Sequence, residues 1–450
     1  MANYDVLIIG AGAAGLSAAR ALSGARKRVC LLEARPRVGG RVHTIRESSL
    51  PLPIELGAEF VHGTVESTLS LIDAAALNLA QLPDNHWWSA DGQWQLVDFW
   101  SELAIIQKEA SRLKRDMSFA DFLRAHPKLP KRLRELAHGF VEGYHAAHAD
   151  RMSARVLASA DSEQEEEAPG ANAQYRLPGG YDEVLASLHA ALDPTFADVR
   201  LNTAVRRVEW SQGRVSVETS RGEALRAAAL VITVPIGVLK APREADGAIA
   251  FDPPLREKEN ALAHIEAGHI VKIAFRFREP FWSDPQFIVE RAKDPKSVAR
   301  GIPLNFVHTN DRFMPTWWTF APLRAPILTG WAGGHAADAL LAEGPETMID
   351  RALDSMSRAF CMKRKKLNAL LVGTWTHDWQ SDPYARGAYS YATVGGENAH
   401  QTMAKPIRRT LFFAGEGTSS DQTGTVAGAL ESGTRAARDV LRALPVSSRG

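Results

Sequence analysis

The beginning of the chain constrains the fold more than any other segment. Val6-Leu-Ile-Ile9 is an unbroken apolar run ending on Gly10. Such a run suits a strand buried on both faces of a parallel sheet. Gly10-Ala-Gly12-Ala-Ala-Gly15 follows, then a helical pattern from Ala13 to Ser23 and a second apolar run from Val29 to Glu33. Strand, glycine turn, helix and strand within about thirty residues form a βαβ unit. Gly10 permits the tight turn, Gly12 lets the backbone approach a pyrophosphate, and Gly15 allows the helix to pack closely on the strand. The helix N-terminus, with Ala14 in its first turn, presents amide donors to the phosphates. Glu33 closes the second strand, where its carboxylate can accept both ribose hydroxyls and would repel a 2′-phosphate. The unit therefore reads as a dinucleotide site that disfavours NADP.

Length and composition bound the rest. At about 100–200 residues per domain, the 450-residue chain holds two or three structural units. With 53 basic and 52 acidic residues it has no general attraction for nucleic acid or an anionic membrane. Cys30 and Cys361, the two cysteines, supply neither a disulfide framework nor a metal-binding spacing. No signal peptide is evident, and the longest apolar run, Ala227 to Leu239, falls short of the ~20 residues a membrane span needs. The expectation is a cytoplasmic enzyme without a metal.

The pattern is helical from Glu66 to Leu82 and across residues 95–160, with breaks at Pro127 and Pro130. Strand character returns at 199–202, 205–210, 214–218 and 230–235, then at 270–277 and 327–333. Leu411 to Gly415 reads as a last buried strand and Thr425 to Leu444 as a last long helix. The β-rich pieces of one unit are interrupted by helical and mixed pieces of another.

Beyond Glu33 the sequence resembles the flavin amine oxidase family of monoamine oxidases, polyamine oxidases and lysine-specific histone demethylases, with motifs most like those of polyamine oxidases. Four blocks carry the resemblance in family order. The first is Glu33-Ala-Arg35-Pro-Arg37-Val-Gly39-Gly40-Arg41, followed by Glu55-Leu-Gly57-Ala58-Glu59-Phe-Val-His62. The second, Gly268-His-Ile-Val-Lys272, runs down to Phe281-Trp282; the third is Trp375-Thr-His-Asp-Trp379 through Gly387-Ala388-Tyr389-Ser-Tyr391. The fourth is Phe413-Ala-Gly415-Glu416-Gly417-Thr418 with Gly424-Thr425-Val426.

The resemblance implies an α/β protein: a Rossmann-type FAD-binding domain over residues 1–78, 183–243 and 382–450, interleaved with a mixed α+β substrate domain over 79–182 and 244–381. It implies that Arg35 and Arg41 reach the FAD phosphates and ribityl chain, and that Gly40, Gly57, Ala58, Glu59, Val205, Gly415, Glu416, Thr425 and Val426 also border the cofactor. Lys272 is then the flavin-side lysine that aids reoxidation by O2, Trp379 lies against the flavin, and Tyr389 is one wall of an aromatic cage. His269 flanks Lys272 and reads as a packing or capping residue. Monoamine oxidases carry a flavin-linked cysteine where this chain has Ala388, and a second cage tyrosine where it has Thr425. The implied FAD is accordingly non-covalent, and the cage has one tyrosine wall. The implied reaction is hydride transfer from the carbon beside an amine nitrogen to flavin, then imine hydrolysis and release of H2O2.

The substrate stays open between a mono- and a polyamine. Glu59 and His62 could orient a second amine, with Tyr389 and Thr425 beside the first. The acidic cluster Glu163 to Glu167 could steer a polycation or be a solvated loop. An L-amino-acid oxidase would need a carboxylate-binding arginine, which no motif places, and an interaction module without turnover would not need Trp379, Tyr389 and Lys272.

Overall fold

Val6–Ile9 lies at the centre of a five-stranded parallel sheet whose spatial order is Ala197–Arg200, Val29–Leu32, Val6–Ile9, Ala229–Ile232 and Leu411–Phe413. The computed structural model describes residues 4–50, 52–162, 172–298 and 302–444. Successive strand side chains point to opposite faces, and both faces here are covered. Val6 and Ile8 join one core with the helix Ala13–Gly24 and the long helix Val426–Ala443. Leu7, Ile9, Cys30 and Leu32 join another core with Val208, Trp210 and Val217 of the four-stranded sheet behind. Burial raises the Cys30 thiol to about 12, so it is an inert packing residue.

The two helices approach closely because small residues face each other. A Cβ on Gly433 would stand 2.2 Å from the Ala14 carbonyl oxygen, and the Ser17 hydroxyl donates to the Leu430 carbonyl at 2.8 Å. The last helix thereby braces the helix that opens the glycine turn.

A second, seven-stranded sheet runs in the order Leu371–Thr376, Ile270–Phe277, Ile327–Gly333, Thr316–Thr319, Phe306–His308, His86–Ala90 and Gln93–Val97. Neighbours are antiparallel except for the pair 306–308 and 86–90. A three-stranded sheet of Phe60–His62, Gln174–Arg176 and Ala80–Gln81 lies apart from both.

Several boundaries differ from the sequence expectation. The helix over 66–82 stops at Ala74, and Ala80–Gln81 is a strand pairing with Tyr175 and Arg176. Residues 93–97 form the second arm of a hairpin; the helices begin at Phe99, where Asp98 accepts the Ser101 amide, and include a π turn at Phe140–Tyr144. The strand over 230–235 ends at Ile232, since Pro235 opens the short helix Ile236–Leu239. The Glu163–Glu167 cluster lies outside the described residues. Among those residues, no helix is long and apolar enough to cross a membrane.

Overpacking a close helix contact costs about 1–3 kcal/mol. Gly433→Ala should therefore lower the thermal midpoint of the FAD-bound protein. Gly24→Ala, where an added Cβ meets nothing within 4 Å, should hold or raise it. Differential scanning fluorimetry on both variants checks the pair.

Candidate active site

A cavity of about 1010 Å³ runs from the glycine turn to the seven-stranded sheet. That is at or above the top of the ~300–1,000 Å³ range of ligand pockets, as a site for a dinucleotide plus a substrate requires. At its nucleotide end stand Gly10, Gly12, Ala14, Glu33, Arg35, Gly40 and Val205. Gly10 has φ +100°, a conformation that favours glycine, and a Cβ on Gly15 would lie 1.8 Å from the Gly10 carbonyl oxygen. A Cβ on Gly12 meets nothing nearer than 3.9 Å, so that backbone is open to a ligand. The buried Glu33 carboxylate accepts the Ala11 and Arg35 amides at 2.8 and 2.9 Å, which aims it at the mouth of the turn. These features fit the adenosine and pyrophosphate of FAD.

The middle of the cavity is lined by Arg41, Gly57, Ala58, Glu59, Gly415, Glu416, Thr425 and Val426. Glu416 is buried, which alone would raise its carboxyl; Arg41 beside it and the Ser390 hydrogen bonds outweigh that and hold it below the usual range. Arg41 Nη1 lies 3.0 Å from Glu416 and also donates to the Ala388 carbonyl. The Arg35 guanidinium pairs with Asp382 at 2.7 Å. Both arginines thus border the cavity with their heads already fixed. Thr425 caps the last helix by accepting the Gly428 amide at 2.9 Å, so the positive helix end faces the cavity.

At the far end, Lys272 lies on the strand Ile270–Phe277, opposite Trp331. It is buried; its Nζ donates to the Gly57 carbonyl at 3.0 Å and pairs with Glu59 Oε2 at 2.6 Å. The other Glu59 oxygen accepts from Arg176 and, at 3.1 Å, from the Trp318 indole. Burial would raise the Glu59 carboxyl, but Lys272 and Arg176 pull it below its ordinary value. Glu59, expected to orient a second amine, has its carboxylate committed in this structure to two cations of the protein itself. Arg176 was not foreseen, and its only trace was one charge in the short segment before Leu177-Pro-Gly-Gly-Tyr181.

Trp379 is buried, its indole donates to the Leu56 carbonyl at 2.9 Å, and it packs with Ile270, Ala388, Tyr389 and Trp331. The Tyr389 hydroxyl donates to the Tyr144 carbonyl at 2.6 Å, tying the cage to the π turn. Trp331 adds an aromatic wall that sequence motifs missed, held by an indole bond of 2.8 Å to the Gly143 carbonyl. From there rings follow one another along the wall: Trp331 and Trp318 at 5.7 Å, Trp318 and Phe60 at 5.6 Å, Phe60 and His62 at 6.2 Å, His62 and Tyr144 at 5.6 Å. Burial lowers His62 and His145 to about 4, so both rings are neutral near pH 7. His269 bonds Asp338 and does not line the cavity.

Residues 13–441 match the family model of flavin-containing amine oxidoreductases. The chain is 29% identical to polyamine oxidase 2 of Arabidopsis thaliana, over 97% of its own length and 87% of the relative's. It is 26% identical to the human lysine-specific histone demethylase 2, over 97% of its own length and 53% of that protein's. In fold it is similar to a putrescine oxidase solved with putrescine (TM-score 0.80, 21% identity, 98% and 99% covered). It is also similar to cyclohexylamine oxidase from Brevibacterium oxydans (TM-score 0.79, 22% identity, the same coverage). A glycine turn built for a dinucleotide, continued by an aromatic chamber with a buried lysine, is the architecture of a flavin-dependent oxidoreductase. The chain belongs to the flavin-containing amine oxidase family and is an FAD enzyme that oxidises amines.

Near the Lys272–Glu59 pair, the buried Glu55 accepts the Tyr181 amide and the Thr44 hydroxyl, each at 2.7 Å. Burial outweighs those bonds and pushes its carboxyl up to about 7. The folded protein then binds this proton more tightly than the unfolded chain. The associated stability is fully present below about 4.5 and is lost as pH rises through about 7, a change of about 3 kcal/mol. Glu55→Gln should flatten the fall in thermal midpoint across that window, measured from pH 4 to 8 against the parent.

Proposed function

We propose that this amine oxidase acts on an amine with one reacting nitrogen and an apolar body, and passes the electrons to O2 with release of H2O2. The observation that carries the reading is the chamber beyond Lys272: a run of aromatic rings with neutral His62 and His145. Among the described lining carboxylates, Glu33 and Glu416 serve the cofactor half, Glu59 is paired internally, Glu397 pairs with Arg155 at 3.0 Å, and Asp421 is exposed. None is a buried, unpaired anion for a second ammonium. The lining arginines, Arg35 and Arg41, are likewise paired, which disfavours an amino-acid carboxylate.

The chemistry FAD supplies when bound is two-electron oxidation of a C–H beside nitrogen, with O2 as final acceptor. The residues do the rest. Trp379, Tyr389 and Trp331 offer π faces that receive and orient the amine. Lys272, Glu59 and Arg176 together carry one surplus positive charge in a dry site. That charge and the desolvation of the chamber disfavour the ammonium form, leaving the free base that can lose hydride. The same surplus favours electron transfer to O2, since superoxide and peroxide are anions. Ala388, buried against the cage, offers no atom for a flavin bond, so FAD is held non-covalently. The reading keeps the division into an FAD domain (1–78, 183–243, 382–450) and a substrate domain (79–182, 244–381).

A polyamine is the second reading, supported by the likeness to polyamine oxidases. The test is kcat/KM for peroxide release from matched aralkyl monoamines, diamines and triamines at low and high salt. The aralkyl amines should lead, with little effect of salt. Triamines leading at low salt and falling back at high salt would establish the polyamine reading instead, and turnover of L-amino acids alone would remove both.

Lys272→Met removes the surplus charge. Stopped-flow should show flavin reoxidation by O2 slowed on the order of 100-fold, with reduction by substrate affected far less. Reoxidation left untouched would make Lys272 a packing residue.

A further inference from the structure

Away from the cavity, three side chains from separate parts of the chain converge: His148 after the π turn, His269 at the start of the strand Ile270–Phe277, and Asp338 in the helix Gly334–Leu341. One donor atom from each lies within 4.8 Å of the others. His148 Nε2 stands 2.7 Å from Asp338 Oδ2, and His269 Nδ1 stands 2.6 Å from Asp338 Oδ1. We propose that His148, His269 and Asp338 form a binding site for a divalent transition-metal ion of the zinc class.

Two imidazoles and one carboxylate are a donor set that zinc accepts, with water completing four-coordination. The site has a way in: the side chains of His269 and Asp338 are 41% and 44% exposed, while His148 at 11% forms the floor. An outer shell is present as well. His148 Nδ1 lies 3.2 Å from the Tyr391 hydroxyl, the kind of contact that fixes the tautomer of a ligating ring. Before metal binding, each imidazole donates N–H to one oxygen of Asp338. On binding, the two nitrogens and a carboxylate oxygen turn to the ion, and each ring keeps one proton on its other nitrogen. For His148 that proton points at Tyr391.

His335 lies one helical turn before Asp338, with its ring 4.8 Å from that of His148. Its nitrogens face Glu142 at 2.5 Å and Asp150 at 3.4 Å, so it is committed to those carboxylates and is not a ligand. No short-range spacing announces the site: His148 and Asp338 are 190 residues apart, and His269 and Asp338 are 69 apart. An ion there would clamp the strand carrying Lys272 to the loop after the π turn, since Ile270, next to His269, lines the cavity.

The experiment titrates Zn2+ into tag-free FAD-bound enzyme, stripped with EDTA and dialysed, by isothermal titration calorimetry. The expected result is one ion per chain and a higher thermal midpoint. His269→Gln and Asp338→Asn should each weaken binding at least as much as the ~10–100-fold that follows loss of an outer-shell partner, and His335→Gln much less. Visible absorbance verifies that each variant retains FAD; if one does not, the other decides. No stoichiometric binding by the parent, or binding lost in His335→Gln and kept in the other two, overturns the proposal.

Discussion

One buried carboxylate holds this structure together where its parts meet. Glu59 receives Lys272 from the seven-stranded sheet, Arg176 from the three-stranded sheet and the Trp318 indole from a third strand position. A lone carboxylate at that depth would be expelled or protonated, and two cations without it would repel each other. Their mutual dependence sets the height of Lys272 against Gly57 and so the shape of the cavity between nucleotide turn and chamber. It also leaves the cluster with two cations to the one carboxylate of Glu59.

The nucleotide half was legible in the sequence because its signals are local. A strand, three glycines, a helix and Glu33 follow one another within a span where backbone geometry dictates each residue type, and the structure assembles them in that order. The strands at 270–277 and 327–333 were equally plain, being long and apolar. The first arm of the hairpin, His86–Ala90, falls in a stretch to which the sequence reading assigns no element, and the second, Gln93–Val97, runs into the helical pattern that the reading starts at residue 95. Periodicity could not announce Arg176 or Trp331 either. Their importance arises from partners more than a hundred residues away, Glu59 for the one and the Gly143 carbonyl for the other.

Motif likeness and geometry inform different parts of the enzyme. The glycine turn, Glu33, Glu416 and the capped last helix stand together at the nucleotide end and middle of the cavity, the part whose shape and donors fit a dinucleotide. The chamber beyond Lys272 is built differently, from aromatic rings and neutral histidines. Its rings and neutral histidines offer a surface selective for shape and polarisability, with charge discrimination left to Lys272 and its partners.

The contact between the first and last helices has a consequence for how the enzyme is made. The Ser17–Leu430 hydrogen bond spans 413 residues, and Leu411–Phe413 forms the edge of the very sheet that Val6–Ile9 begins. The nucleotide fold therefore starts at Val6–Ile9 and closes only with a segment synthesised long after it. Until then the face of the helix Ala13–Gly24 that meets the last helix has no cover, and the part of the cavity wall formed by Glu416 and Thr425 does not exist. Cofactor capture thus waits for that later segment, and until it is made the nascent chain carries a sheet edge open to aggregation.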